Sequence, residues 1–461
     1  MPATLIVVKN FEVSARLNAK TEGLSNLSVV VLPNAFVPQP KEIEESGLAG
    51  YILDKAIETL ASRSQRSIEP PALPEMPGDM LTFQGADYPQ AAATMERYFL
   101  ERCWSDGLPL VPPTRRAVDA MLEGTDLDGE HVLGAVEPGR RTATVEKIAI
   151  NAVMAGCLPQ YMPVILAAFE ALIDPRFDLR GVQSTAGMVS PVFIVSGPGL
   201  IQQLNINDSY STIGPGWKAN STIARALKLI LTNLGGAWPG RTDMKSFGSP
   251  FKFGMLLAES DSIYGSAWEP LRVAEGFAAS QPTVSVMPAV SWSPDFITAD
   301  RVHIEKLVEV IVEQARAKYD RKAYFWGKDN LILISPSMFR AITHAGLTRA
   351  DFQKLLFERI EVPAHEFYDG KAPYGEAPGG VQIPAHVVQA CIDNANATVP
   401  LFARPESLKI VAAGGKGPAM VAYISTWGAG PAYFVTKPIN TPKNWTDLLS
   451  KYAGWDTPIV S

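Results

Sequence analysis

The chain has 461 residues, of which 41 are basic and 47 acidic, giving a formal net charge of −6, and 47% are hydrophobic. This apolar content excludes a mainly disordered chain, and the acidic balance argues against a general nucleic-acid or anionic-membrane surface. The N-terminal apolar run ends at Lys9, too short for a signal peptide, and no apolar stretch reaches the length of a membrane span. We therefore expect a cytoplasmic protein without a membrane or nucleic-acid partner.

The first 65 residues are predicted to form a small αβ unit. Ser28–Pro33 (SVVVLP) has the composition of a buried strand. A helix is expected from Lys41, with Leu48 and Ile52 on its apolar face. Residues 66–89 follow as a linker, because the four prolines between residues 66 and 80 favour an extended chain.

Strands and helices alternate beyond the linker. Pro191–Gly199 is predicted to be a strand that enters a Gly-Pro turn, and residues 299–319 have the apolar spacing of an amphipathic helix. This alternation predicts an α/β fold in which a mixed or mostly parallel sheet is covered by helices. We expect a main domain over residues 90–290, which carries glycine-rich ligand loops, and a C-terminal α/β part over residues 291–461 packed against it.

The segment from Gly214 to Leu229 combines a glycine turn with a helix predicted to begin near Asn220. Gly214 and Gly216 allow a positive φ or a close approach of the backbone. The helix start offers unpaired N–H groups and the positive end of the dipole, and Lys218 and Ser221 add a charge and a hydroxyl. These parts predict a carboxylate or phosphate site. The alternative is a capped helix after a tight turn.

A second glycine-rich connection runs from Gly235 to Lys245. Long connections of this kind are uncommon without a function. Arg241 and Lys245 could clamp an anion, and Asp243 could orient one of them or act as a base. The alternative is a surface loop with an internal salt bridge.

The third candidate follows a predicted strand near the C-terminus, where the chain reads Gly-Gly-Lys-Gly over residues 414–417. Open α/β sheets place ligands at the C-terminal ends of their strands. Gly415 and Lys416 are therefore predicted to line a ligand site, together with Trp427 in the similar segment STWGAG. A plain hairpin turn is the alternative.

The predicted helix Thr144–Cys157 carries Glu146, Lys147 and Asn151. Lys147 and Asn151 are four residues apart and could jointly face a pocket. Cys157 is either a buried structural cysteine or a nucleophile.

Neither a disulfide framework nor a metal centre is predicted. The three cysteines form no CxxC pair, and the five histidines form no HExxH or His-x-His pair. The sequence identifies no cofactor.

Five segments of the chain read WSDGLPLVPPT, TVEKIAINAVMAGC, GPGWKANSTIARALKL, GGAWPGRTDM and WEPL. They resemble a bacterial family named after its UGSC motif, selenocysteine or cysteine followed by Gly-Ser-Cys. The resemblance spans most of residues 95–280 and returns near AAGGKGP and STWGAG. The family name implies thiol or selenol redox chemistry at that motif, but this chain contains no Cys-Gly-Ser-Cys. The shared segments therefore imply a substrate pocket rather than a thiol centre.

We expect an enzyme that acts on a small anionic substrate, a carboxylate, phosphate or acyl thioester, by acid–base chemistry. Lyase or hydratase chemistry is favoured, and hydrolase chemistry is compatible. Lys147, Glu146 and Asp243 are the predicted proton-transfer groups, with Cys157 as a reserve nucleophile. The predicted binding residues are Asn151, Gly214, Gly216, Lys218, Asn220, Ser221, Arg241, Gly415, Lys416 and Trp427.

Two alternatives remain open. The first is a thiol-dependent oxidoreductase, which the family resemblance suggests. The second is a non-catalytic subunit of a hetero-oligomer, a chain that lacks the family motif and supports one that keeps it. Either a homo- or a hetero-oligomer is expected. In the second alternative the interface anchors are Trp104, Trp217, Trp238, Trp268 and Trp427.

Overall fold

A computed structural model gives the fold. It describes residues 4–21, 24, 27–32, 47–61, 80–264, 268–297, 303–318, 328–366, 376–377, 381–382, 385–394, 396–428, 430 and 432–456. Residues 66–79 of the predicted linker lie outside this set. The strands are β1 (Thr4–Val8), β2 (Ser28–Leu32), β3 (Val132–Val136), β4 (Arg141–Thr144), β5 (Ser190–Ser196), β6 (Leu256–Ala258), β7 (Thr283–Ile297), β8 (Asn330–Ile334), β9 (Glu361–Pro363), β10 (Glu376–Ala377), β11 (Val381–Gln382), β12 (Thr398–Pro400), β13 (Leu408–Ala412), β14 (Ala419–Thr426) and β15 (Val435–Pro438).

The helices begin and end close to the positions expected from apolar spacing and capping residues. Thr144 and Thr348 each accept a hydrogen bond from a backbone N–H of the first turn, as N-cap residues do. The helices are α1 (Glu12–Thr21), α2 (Leu48–Ala61), α3 (Tyr88–Glu101), α4 (Arg115–Leu122), α5 (Val145–Ala155), α6 (Met162–Ile173), α7 (Leu179–Ser184), α8 (Pro198–Gln203), α9 (Lys218–Asn233), α10 (Leu271–Ala274), α11 (Ile304–Lys318), α12 (Pro336–His344), α13 (Arg349–Arg359), α14 (Ala385–Asp393) and α15 (Trp445–Lys451).

The N-terminal segment contains a parallel pair of strands. β1 lies beside β2 in register, which confirms the strand predicted at SVVVLP. Val8, Val30 and Leu32 form a small core, and Phe11 and Ile52 pack against it. The helix start predicted at residue 41 lies outside the described residues. Within the described residues, α2 begins at Leu48.

The main sheet is mixed and has seven strands, which confirms the predicted α/β class. Its strand order is β13-β8-β14-β7-β5-β6, and β15 also pairs with β7. β8 lies parallel to β13 and β5 lies parallel to β6, while the other pairs are antiparallel. β7 crosses the predicted boundary at residue 290 and pairs first with β5 and then with β14, so the two predicted parts share one sheet.

The sheet curls so that its two outermost strands approach each other. The backbone N–H of Ser260, just after β6, donates to the carbonyl oxygen of Ala412 at the end of β13. Successive side chains point to opposite faces of a strand. The curled sheet therefore encloses one face as an apolar interior, formed by Val192, Ile194, Phe251, Met255, Leu257, Leu271, Met287, Ala289, Leu331, Leu333, Val411, Ala413, Ala422, Ile424 and Phe434.

Helices cover the convex face in two groups. α5, α6 and α9 form one core with side chains on the convex face of the sheet, such as Phe193 of β5 and Val286 of β7. α11, α12 and α13 form a second core with Ile332 and Tyr423. Within the part of the chain that the structure describes, no helix has the length and apolar character needed to cross a membrane.

Candidate functional site

Two of the three predicted glycine loops meet at one opening of the curled sheet. Gly214 and Gly415 line a cavity of about 380 Å³, here called the mouth cavity, next to the C-terminal ends of β8 and β13. A Cβ atom on Gly415 would lie 2.2 Å from a ring carbon of Tyr210. Only glycine lets the two loops approach this closely.

The mouth cavity is mostly apolar. Leu333, Ala413 and Ala422 belong to the sheet interior, and Trp292 extends the same surface outward. Lys416 borders a neighbouring cavity instead. The predicted cationic groups Lys218 and Arg241 line neither cavity.

Asn220 holds the loop before its helix rather than presenting its amide to an open site. α9 begins at Lys218, two residues earlier than predicted. The buried Asn220 side chain accepts from the N–H of Asn207 at 2.8 Å and contacts the carbonyl oxygens of Asn207, Thr212 and Leu256 at 3.1 to 3.4 Å. Its hydrogen-bonding capacity is thereby used within the protein.

The other polar residues around this turn lie apart from one another. Gly216 and Ser221 are exposed, and Lys218 is half-buried. The charge of Lys218 is close enough to Cys157 to act on its thiol. These side chains are not brought together in the mouth cavity.

The three polar residues of α5 separate as well. Glu146 pairs with Arg115 at 2.5 Å. The Lys147 amine donates to the carbonyl oxygen of Thr142, and the Asn151 amide donates to the carbonyl oxygen of Lys147 at 2.8 Å. Asn151 is buried and also accepts from Asn233 at 2.7 Å, so it shares no pocket with the Lys147 amine.

Cys157 is a buried thiol beside the hydroxyl of Thr222. Burial raises the pKa of this thiol to about 12, outweighing the opposing effects of Thr222 and of the charges on Lys218 and Arg225. The group is therefore protonated near neutral pH, whereas a nucleophilic cysteine needs its thiolate.

We expect Cys157 to resist alkylation in the folded protein. At pH 8 a thiol of pKa about 12 is ionised in roughly one molecule in ten thousand. Iodoacetamide at pH 8 should modify the half-buried Cys103 first and leave Cys157 unmodified until urea unfolds the chain, as peptide mass spectrometry can follow. Equal rates at the two residues would contradict this assignment.

The predicted tryptophan anchors divide into two groups. Trp104, Trp268 and Trp427 are at most 7% exposed and belong to the protein interior. Trp427 packs closely against the backbone at Gly181 and Gly430, so it is not an open ligand contact. Trp217 and Trp238 are half-buried.

The second glycine-rich connection, residues 235–245, forms a different site. Asp243 is buried, and the amines of Lys245 and Lys252 both contact its carboxylate, Lys245 at 3.3 Å. The side chain of Lys245 is 2% exposed and that of Lys252 is 31% exposed. The half-buried Arg241 lies in the same loop.

A third lysine, which sequence reasoning missed, joins this site from α9. The Lys228 amine donates to Ser190 Oγ at 2.5 Å and to the carbonyl oxygen of Pro191 at 3.3 Å. Burial holds the pKa of Lys228 well below its usual range, and the nearby charges of Lys252 and Lys245 lower it further. Lys228, Lys245, Lys252 and Asp243 are called the lysine cluster below.

Burial also lowers the pKa of the other two amines, that of Lys245 to about 8. A buried charged group normally has partners that match its charge. Glu259, which is 1% exposed, meets this rule through Tyr264, the N–H of Leu271 and the nearby Arg349. The lysine cluster departs from it, because two amines contact the single carboxylate of Asp243. Among the residues that the structure describes, the third amine, that of Lys228, bonds only to Ser190 and Pro191 and lies near the charges of the other two.

The stability of the folded protein is expected to rise with pH because of Lys245. The pKa of its amine is about 8 when folded and 10.5 ordinarily, so the unfolded chain binds more protons between these values. Folding is therefore favoured as pH rises, by about 1.4 kcal/mol between pH 7 and 9.

Urea unfolding at both pH values should show a gain in stability that is about 1.4 kcal/mol smaller in Lys245→Met than in the wild type. The lowered pKa values of Lys228 and Lys252 leave the rest of the gain in the variant. The matched control is Lys354→Met, which removes an exposed lysine of α13. The same pH dependence in the wild type and in Lys245→Met would overturn the prediction.

No group of three or more His, Cys, Asp or Glu side chains that could hold a metal ion is found within the described ranges. Comparison of the chain with protein-family models gives no match, and comparison with curated proteins gives none either.

Proposed function

We propose that the protein is an enzyme that acts on a small anionic substrate by acid–base chemistry at the lysine cluster, with lyase or hydratase chemistry favoured. One observation carries the proposal. An amine of strongly lowered pKa, Lys228, lies near two further lysines that share a single carboxylate, Asp243. Functional sites are where such perturbed groups concentrate.

The cluster supplies positive charge for an anion. At pH 7 the amine of Lys245, with a pKa of about 8, is mostly protonated. Asp243 can balance only one of the positive charges around it. A substrate carboxylate or phosphate would accept charge-assisted hydrogen bonds from the amines and supply the missing negative charge.

Lys228 supplies the base. Burial and the nearby charges of Lys252 and Lys245 hold the pKa of its amine well below the usual range. This favours the neutral amine, which can take a proton from the carbon next to the substrate's acid group. The electron pair of that C–H bond then forms a carbon–carbon double bond as a hydroxide leaves from the adjacent carbon. The proton on Lys228 neutralises this hydroxide to water, and hydration is the reverse sequence.

The low exposure of Ser190 favours proton transfer by Lys228 over acyl transfer to a serine. Ser190 accepts the Lys228 hydrogen bond, as a serine nucleophile would, but it is only 2% exposed and offers no room for an acyl group. The Lys252 side chain is 31% exposed, whereas those of Asp243 and Lys245 are 3% and 2% exposed, so a substrate would reach these two by displacing Lys252.

Hydrogen–deuterium exchange tests the proposal without knowledge of the full reaction. The protein is incubated in D₂O with small 2-hydroxy, 3-hydroxy and unsaturated carboxylates and with phosphate esters, and proton NMR follows each C–H signal. We expect at least one compound to lose the signal next to its acid group faster than in a protein-free control. If none of the compounds exchanges or is converted, the proposal fails.

A further inference from the structure

The mouth cavity adjoins a second cavity that carries charge. This neighbour, here called the basic cavity, has a volume of about 520 Å³ and is lined in part by Arg340, His344 and Lys416. Gly417 and Pro418 line both cavities. The two cavities adjoin at these residues and are together called the depression below; the mouth cavity is mostly apolar and the basic cavity is cationic.

The apolar side is an extension of the sheet interior. Cross-strand partners share a face of the sheet, and Trp292 lies opposite Ile424 while Phe296 lies opposite Met420. Ile424 is buried, but Trp292 and Met420 are each 40% exposed and Phe296 is 55% exposed. The interior face of β7 and β14 therefore continues past the curled sheet and remains uncovered in the described structure.

The cationic side shows no matching acid within the described part of the chain. Arg340 and His344 lie one turn apart on α12, and Lys416 comes from the glycine loop after β13. Among the described residues that line the two cavities, none carries an acidic side chain. Within the described part of the chain, Arg340 and Lys416 have no ion-pair partner at the distances of a salt bridge.

We infer that this depression binds a small amphiphilic anion, with an aromatic or short acyl body in the mouth cavity and a carboxylate, sulfonate or phosphate in the basic cavity. A cavity of about 380 Å³ lies within the range that accommodates small organic ligands. The two cavities share no lining residue with the lysine cluster, so the inference is independent of the proposed reaction there.

A matched pair of fluorescent probes separates the two sides of the site. 8-Anilinonaphthalene-1-sulfonate carries an aromatic body and an anionic group, and N-phenyl-1-naphthylamine carries the same body without the charge. Each is titrated into the full chain and into single variants whose fold is checked by circular dichroism. We expect one binding site per chain and tighter binding of the sulfonate.

Arg340→Ala and Lys416→Ala should each weaken sulfonate binding about five- to tenfold and leave the uncharged probe unaffected. Trp292→Ala, at a partly exposed position, should weaken the binding of both probes by a similar factor. Lys354→Ala, which removes a lysine from α13, is the control and should change neither.

Three results would overturn the inference. The first is sulfonate binding that is unchanged in both charge variants, and the second is probe binding that is unchanged in Trp292→Ala. The third is binding with no saturation at one site, which would identify only nonspecific dye adsorption. If these probes bind as expected but no compound exchanges in the deuterium experiment, only the proposed reaction at the lysine cluster is rejected.

Discussion

Lys228→Met is expected to lower the rate of substrate C–H exchange by about 10²- to 10⁴-fold, the usual contribution of a general base. Methionine matches the length and apolar stem of lysine but cannot accept a proton. The variant should remain folded, because replacing a poorly solvated amine by an apolar side chain is often neutral or stabilising. Proton NMR in D₂O gives the rate, and urea unfolding gives the stability.

The control for this experiment is Lys354→Met, which should exchange at the wild-type rate. The pH profile distinguishes a base from a merely structural amine. In the wild type, exchange should fall as acid protonates the base, and residual exchange in Lys228→Met should lack that step. Full exchange activity in a folded Lys228→Met variant would place the base elsewhere.

The fold class was predictable because its signals are local. The apolar run at Leu331–Ile334 and the capping threonines Thr144 and Thr348 mark their elements without reference to the rest of the chain. The curl of the sheet was not predictable. All four residues of Leu331–Ile334 are apolar, so their pattern cannot tell the enclosed face from the face that packs on helices.

The candidate site shows the same difference between features that follow from local sequence and contacts made between distant segments. Gly414 and Gly415 follow β13, where a ligand loop was expected. Asp243 was expected to orient Arg241 or Lys245 or to act as a base, and it contacts Lys245. Lys228 was missed because it lies between two buried leucines of α9 and gains its partner, Ser190, from a distant strand. The sequence signal that could have indicated a role for Lys228 inside the protein was its position eight residues after the buried Asn220, on the same face of the helix.

Amide side chains were the hardest to interpret from sequence. Asn151 and Asn220 were predicted to bind substrate, and in the structure both bind other groups of the protein. A ligand oxygen and a backbone carbonyl require the same donor, so the residue type cannot distinguish them. Mutation can, because a structural amide determines stability whereas a binding amide determines affinity.

Asn220→Ala is therefore expected to lower the free energy of unfolding by about 3–5 kcal/mol. It removes the acceptor of the Asn207 N–H and the donor to the carbonyl oxygens of Asn207, Thr212 and Leu256, all of which lie in a buried region. Each buried polar group left without a partner costs about 1–3 kcal/mol. Urea unfolding followed by circular dichroism measures the change.

The adjacent Ser221→Ala is the matched control. Ser221 is exposed on the same helix, and its substitution should change stability by less than about 0.5 kcal/mol. Asn220→Asp adds a second comparison, since it keeps the acceptor for Asn207 but replaces the donor by a carboxylate oxygen that faces carbonyl groups. We expect it to destabilise the protein at neutral pH and to recover part of that loss at low pH, where the carboxyl is protonated. Wild-type stability in Asn220→Ala, combined with weaker binding of the fluorescent probes, would instead assign this amide to the ligand.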